Sequence, residues 1–173
     1  MSGTAVKVKI KSTMLNVAAE EQEIAELTPL LKDGESIDDR MAEIEKEATE
    51  VIEYTASGVM TTEDGLTVIT YAEPEEIGLG ASTAVITFNA EHRDTVTFAR
   101  NGMLSFTIVL DKKSPDSISP IYLPEGRLDL TVRTNKVYNN VKGTRGSILL
   151  DYSLLQFGTV IQRNRFFIEV RNG

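Results

Sequence analysis

Cysteine and tryptophan are absent from this chain of 173 residues. Without cysteine there is no disulfide, no thiolate metal site, no iron–sulfur ligation and no thiol nucleophile. The single histidine, His92, rules out multi-histidine metal centres and leaves a serine triad one candidate base. Aromatic residues make up only 6%. No apolar run approaches the roughly 18 residues that span a bilayer, and the opening MSGTAVKVKIKST carries no apolar stretch of signal length. These absences point to a cytoplasmic chain with no membrane partner, no metal and no other cofactor. What remains, 41% hydrophobic and 25% charged residues, is a globular proportion and fits one domain over residues 1–173.

The net charge of −8 is concentrated in one place. Glu20 to Glu53 hold thirteen acids and three bases, a net of −10, and the rest of the chain sums to +2. Nucleic acid is excluded as the main partner, because phosphate neutralisation needs a basic face. Lys7, Lys9 and Lys11 form the only dense basic group. They alternate with Val6, Val8 and Ile10, the pattern of a half-buried strand with a solvated lysine face.

Residues 14–48 interrupt the strand pattern. Pro29 and Asp33-Gly34 signal turns. Ser36 is placed as an N-cap, and Ile37, Met41, Ile44 and Ala48 recur at helical spacing, predicting a short amphipathic helix over 37–48. A further helix is expected near 18–27.

From residue 49 the period returns to two. Strands are expected near 50–60 and over 66–72, 82–88, 95–100, 103–110, 121–123, 127–134, 146–156 and 160–171. Glu63-Asp64-Gly65 and Asn101-Gly102 are read as hairpin turns, and Glu91–Asp94 as a turn. Residues 72–80, 111–119 and 135–145 read as connections. Sequential strands of this kind do not stay flat and open at such a number. The fold class is therefore all-β, an antiparallel up-and-down barrel of about eight to ten strands with a short helical insert after the first strand.

Several motifs in order carry a resemblance: Tyr71, Glu73 and Glu75; Val96, Arg100 and Gly102; Tyr122, Pro124 and Gly126 followed by alternating Leu128, Leu130, Val132 and Thr134; Gly146, Ile148, Leu150 and Tyr152; and Asn164, Phe166, Ile168 and Val170. Over residues 4–12 and 50–171 the chain resembles the YwiB-like family of small bacterial domains of unknown function. The resemblance implies a calycin-like, that is lipocalin-like, barrel and implies no activity. In that family a short linker usually joins the first two strands; here about 35 residues intervene.

Strand parity places a few polar side chains on apolar faces. Arg100 shares a face with Val96 and Phe98, Glu73 with Ile69 and Tyr71, and Thr134 with Leu130 and Val132. Tyr152 lies between Leu150 and Leu154, and Asn164 precedes Phe166. A buried guanidinium needs an anionic partner. In one reading Arg100 pairs with Glu73 or Glu75 and closes the barrel end. In the other it binds a ligand anion, with Glu73, Tyr71, Tyr152 and Thr134 as polar auxiliaries in a lumen that takes a small amphipathic or anionic molecule. No catalytic constellation emerges: His92 sits in a polar turn, and Glu73 and Glu75 flank Pro74 in a loop. A non-enzymatic binding barrel is the expected function. The alternative is an interaction barrel with a packed core that docks a basic protein partner through the acidic insert, or forms a homodimer through a barrel edge.

Overall fold

The computed structural model describes residues 3–16, 49–74 and 82–173. The strands are β1 (Thr4–Asn16), β2 (Thr49–Glu63), β3 (Leu66–Glu73), β4 (Ser82–Asn89), β5 (His92–Asn101), β6 (Ser105–Asp111), β7 (Asp116–Leu123), β8 (Gly126–Asn139), β9 (Gly146–Gln156) and β10 (Thr159–Asn172). Each pairs with its neighbour in sequence, all antiparallel, and β1 pairs with both β2 and β10, so the sheet closes into a barrel. Among the described strands, none is left as a terminal edge of the sheet. The helices expected at 18–27 and 37–48 lie outside the described residues.

Alternation decides the interior. Val6, Val8 and Ile10 are buried on β1, Ile86 and Phe88 on β4, Val96 and Phe98 on β5, and Ile148 and Leu150 on β9. The lysines of β1 face out, as their period requires. Gly58 on β2 stands opposite Tyr71 on β3, and Ala84 flanks Tyr71 from β4. A Cβ at Gly58 would come within 2.9 Å of the Thr70 carbonyl oxygen. Small neighbours on both sides thus make room for the buried tyrosine ring.

The two ends of the barrel differ. At the end bearing the chain termini, Val141 drops from the β8–β9 connection into the core and is 2% exposed. The Arg93 guanidinium donates to its carbonyl, and Gly146 lets the chain pass so closely that a Cβ there would lie 2.5 Å from the Val141 Cα. This plug falls within residues 135–145, where one valine among polar residues gives no periodic signal.

Of three turns read from the sequence, two depart from expectation. The β2–β3 turn is as read, with Asp64 and Gly65 both at positive φ (51° and 80°), the conformation that suits strand twist. Asn101-Gly102 does not make the same turn. Arg100 pairs with Phe106, leaving a longer connection in which the Ser105 hydroxyl binds both the amide and the carbonyl of Gly102. The expected Glu91–Asp94 turn sits earlier, because β5 already begins at His92.

β7 is longer than its sequence suggests, because its pattern is inverted. Ser119 is buried (2%), while Ile118 is 76% exposed and Tyr122 is half exposed. The reason lies in the seam with β6, where only Ser105–Tyr122 and Phe106–Ile121 pair. Pro120 has no amide proton to give. Beyond those two pairs, side chains bridge the strands. The Ser119 hydroxyl donates to the Thr107 carbonyl (2.9 Å), and the Thr134 Oγ1 accepts from the Asp111 amide (3.1 Å). Thr134 also donates its own amide to the Pro115 carbonyl (2.8 Å).

Thr134→Val keeps the shape but strands the Asp111 amide, and is expected to cost about 1–2 kcal/mol. Urea denaturation measures this; a change within a few tenths would show that water satisfies the amide and that the threonine is not a stitch.

Candidate functional site

Among the described residues, the interior is filled at the plugged end and leaves space at the other. Toward the end where the chain leaves β1 at Asn16 and re-enters at Thr49, a cavity of about 340 Å³ remains. It falls at the lower end of the range for small-molecule sites, roughly 300–1,000 Å³. Exposed Glu50 stands at its mouth.

One wall is apolar: Phe98, Leu104, Phe106, Ile108 and Ile121, from β5 through β7. The facing wall is polar, and the ladder explains its layout. Tyr152 on β9 pairs with Asn164 on β10, Asn164 with Met14 on β1, and Met14 with Glu50 on β2, so these residues form one level across four strands. Ser12 lies one inward-facing step deeper, beside Phe166. The Asn164 amide donates to Gln162 Oε1 (3.1 Å), and the Gln162 amide contacts the Met14 sulfur (2.8 Å).

Between the walls sits a buried ion pair. Arg100 Nε and Nη2 meet the two oxygens of Glu73 at 2.5 and 2.8 Å, a fork-on-fork geometry. The Glu73 carboxylate is wholly buried and also accepts from Ser82 Oγ (3.0 Å) and Tyr54 OH (3.3 Å). The ladders place this group: Glu73 ends β3 opposite Ser82, which begins β4, and Arg100 lies near the end of β5 opposite Ala84. The guanidinium packs over Phe98 and Phe106, 5.6 and 5.2 Å from the ring centroids. Burial alone would lower its pKa, but the hydrogen bonds and charge of Glu73 reverse that and raise it.

Of the residues singled out in sequence, Arg100, Glu73, Tyr152 and Asn164 meet at the cavity. Tyr71 is buried beneath it, with its hydroxyl beside that of Tyr54. Thr134 does not join them; from β8 it ties the end of β6 and the β6–β7 connection through Asp111 and Pro115. The Arg100–Glu73 pair is the structural reading of that arginine, and Glu75 lies outside the described residues. Sequence reasoning missed Tyr54, Ser82, Ser12 and Gln162. Tyr54 was legible in the alternation of Ile52, Tyr54 and Ala56, whereas Ser82 carries no signal before the strands are paired. His92 is exposed at the start of β5, away from the cavity.

Two predictions follow from this geometry. Arg100→Met leaves a buried carboxylate without its cation and is expected to cost about 3–5 kcal/mol. The double variant Glu73→Leu/Arg100→Met should regain more than half of that in urea denaturation; equal loss in both would show that the pair's charge is not what the site depends on. Burial holds the Tyr152 hydroxyl proton up to about 12 and raises Tyr54 and Tyr71 as well. An unfolded chain gives up such protons near pH 10.0, the ordinary tyrosine value. Stability is therefore complete below pH 10 and falls as pH rises toward 12. Tyr152→Phe should flatten that fall, and an unchanged slope would contradict a desolvated, protonated Tyr152.

The profile of a family described as a domain of unknown function, DUF1934, matches residues 37–168. The match begins at residue 37, within the segment read as an insert, and runs through the strands that follow it. No curated protein matches the chain. Among solved structures, the crystal structure of the ywiB protein from Bacillus subtilis superposes with a TM-score of 0.67 at 16% identity, covering 99% of this chain and 93% of that one. At that identity the likeness speaks for the fold. The chain has a YwiB-like barrel and belongs to the DUF1934 family of domains of unknown function.

Proposed function

We propose that this protein is a non-enzymatic binding barrel of calycin-like, lipocalin-like kind that holds a small amphipathic molecule in its lumen. One observation carries the reading: among the described residues, a barrel plugged at one end leaves about 340 Å³ at the other, between an aromatic wall and a polar one. A protein selected for stability alone would fill that volume, since cavities destabilise in proportion to their size. Outward charges on several strands, among them Lys7, Lys9, Arg133 and Arg165, suit water and not lipid around the barrel, in keeping with a cytoplasmic home. A neutral apolar dye such as Nile red should bind with enhanced fluorescence and raise the melting temperature. Ile121→Trp, which fills the cavity from β7, should abolish both effects while the far-UV circular dichroism stays that of the parent. Undiminished binding by that variant would place the dye elsewhere and remove the support for a lumen site.

A second reading is favoured by Phe157. This ring is 99% exposed at the tip of the β9–β10 hairpin, at the cavity end, with φ at 52°. Asparagine or aspartate is the usual residue for that conformation, and an aromatic there is strained. Met103 and Leu123 are exposed at the next turns of the same end. We propose that these tips dock a basic protein partner drawn by the acidic segment that joins the barrel there. Phe157→Asn is expected to stabilise the protein by about 0.5–1 kcal/mol while weakening partner capture; if it destabilises, the tip is packed and the docking reading fails.

A further inference from the structure

The geometry points to an uncharged ligand head, an amide or a hydroxyl, gripped by Tyr152 and Asn164. This inference rests on the lumen reading and names the class of molecule that the lumen takes. The only cation lining the cavity among the described residues, Arg100, has both prongs of its fork on Glu73 and its faces against Phe98 and Phe106. The pair is neutral, and the remaining lining charge is the carboxylate of Glu50 at the mouth. A carboxylate or phosphate inside would lose its water without gaining a free cation, which is costly. A cationic head would find the carboxylate of Glu73 already fully occupied.

What the cavity does offer is uncharged and unspent. Tyr152 and Asn164 face each other across β9 and β10, a pairing that sets their Cβ atoms about 5 Å apart. The Tyr152 hydroxyl keeps its proton and has no partner among the described residues, so it is a donor at neutral pH. Asn164 is 8% exposed, and its single hydrogen bond uses the amide nitrogen, leaving Oδ1 as an acceptor. The hydroxyl of Ser12 is also unpaired and lies one level deeper. A donor beside an acceptor matches a head that carries the reverse: the C=O and N–H of an amide, or the lone pair and proton of an alcohol. An apolar body would then lie against Phe106, Ile108 and Ile121 on the opposite wall.

The test holds the body fixed and changes the head. Decanamide, decanol, decanoate and decylamine are titrated at pH 7 by isothermal calorimetry into the full chain. Decanamide and decanol are expected to bind about tenfold or more tightly than the two ionised compounds. Tyr152→Phe and Asn164→Leu should each erase most of that preference while Nile red binding persists, which shows that the variants remain folded with the cavity intact. Decanoate binding best would overturn the neutral-head inference and restore Arg100 as an anion site, leaving the lumen reading in place. A preference that survives both variants would also overturn it. Binding by none of the four, together with no response to Nile red, would sink the lumen reading itself.

Discussion

Everything in this molecule depends on β1 being paired on both sides. Its ladders to β2 and β10 turn a meander of ten strands into a closed wall, so every strand has an inside and an outside. Closure satisfies the backbone of the outermost strands, and it also fixes parity. Once Val8 and Ile10 face in, the partners opposite them must do so too, and the choice passes around the sheet. The buried ion pair is a consequence. Glu73 and Arg100 sit on strands separated by β4, and only the shared inward face of β3, β4 and β5 brings their side chains together.

The barrel is asymmetric along its axis. At one end Val141 and a shell of isoleucines and valines fill the lumen, and at the other the inward positions turn polar or aromatic and leave space. The pair of Glu73 and Arg100 lies where these regimes meet. A buried pair of this sort adds little net stability over apolar packing, but it penalises any register in which one partner loses the other. At the floor of the cavity the pair is neutral as a unit and presents no free cation to an incoming molecule.

The seam between β6 and β7 is the weak point of the wall. Two paired positions, a proline and two side-chain bridges replace a full ladder there. Hydroxyls from Ser119 and Thr134 are buried at the seam because backbone groups need them, and Ile118, Tyr122 and Leu123 of β7 are left outward, while Ile121 still faces the cavity. This explains why the reading by hydrophobic alternation fails on β7, where polar residues face in and Ile118 faces out. It also explains why Thr134, rightly placed on the inner face, is a stitch between strands and not part of the cavity lining. Hydrophobic parity reports which face is greasy, and it carries no information about which backbone amide lacks a partner.

The all-β class, most strand positions, the inward faces of β1, β5, β8 and β9, and the need of Arg100 for an anion were legible in the sequence. A period of two with apolar residues on one face has few other solutions, and a guanidinium on such a face demands an acid. The tertiary structure alone decided how that demand was met and what was left over. Whether Arg100 is spent on Glu73 or free for a ligand depends on distances across β4. The polar wall of Tyr152, Asn164 and Ser12 exists only through ladder register, because these residues are far apart in the chain and adjacent only around the barrel. The empty volume is likewise a property of closure, set by how inward side chains from opposite strands fail to meet, and no local pattern along the chain encodes it.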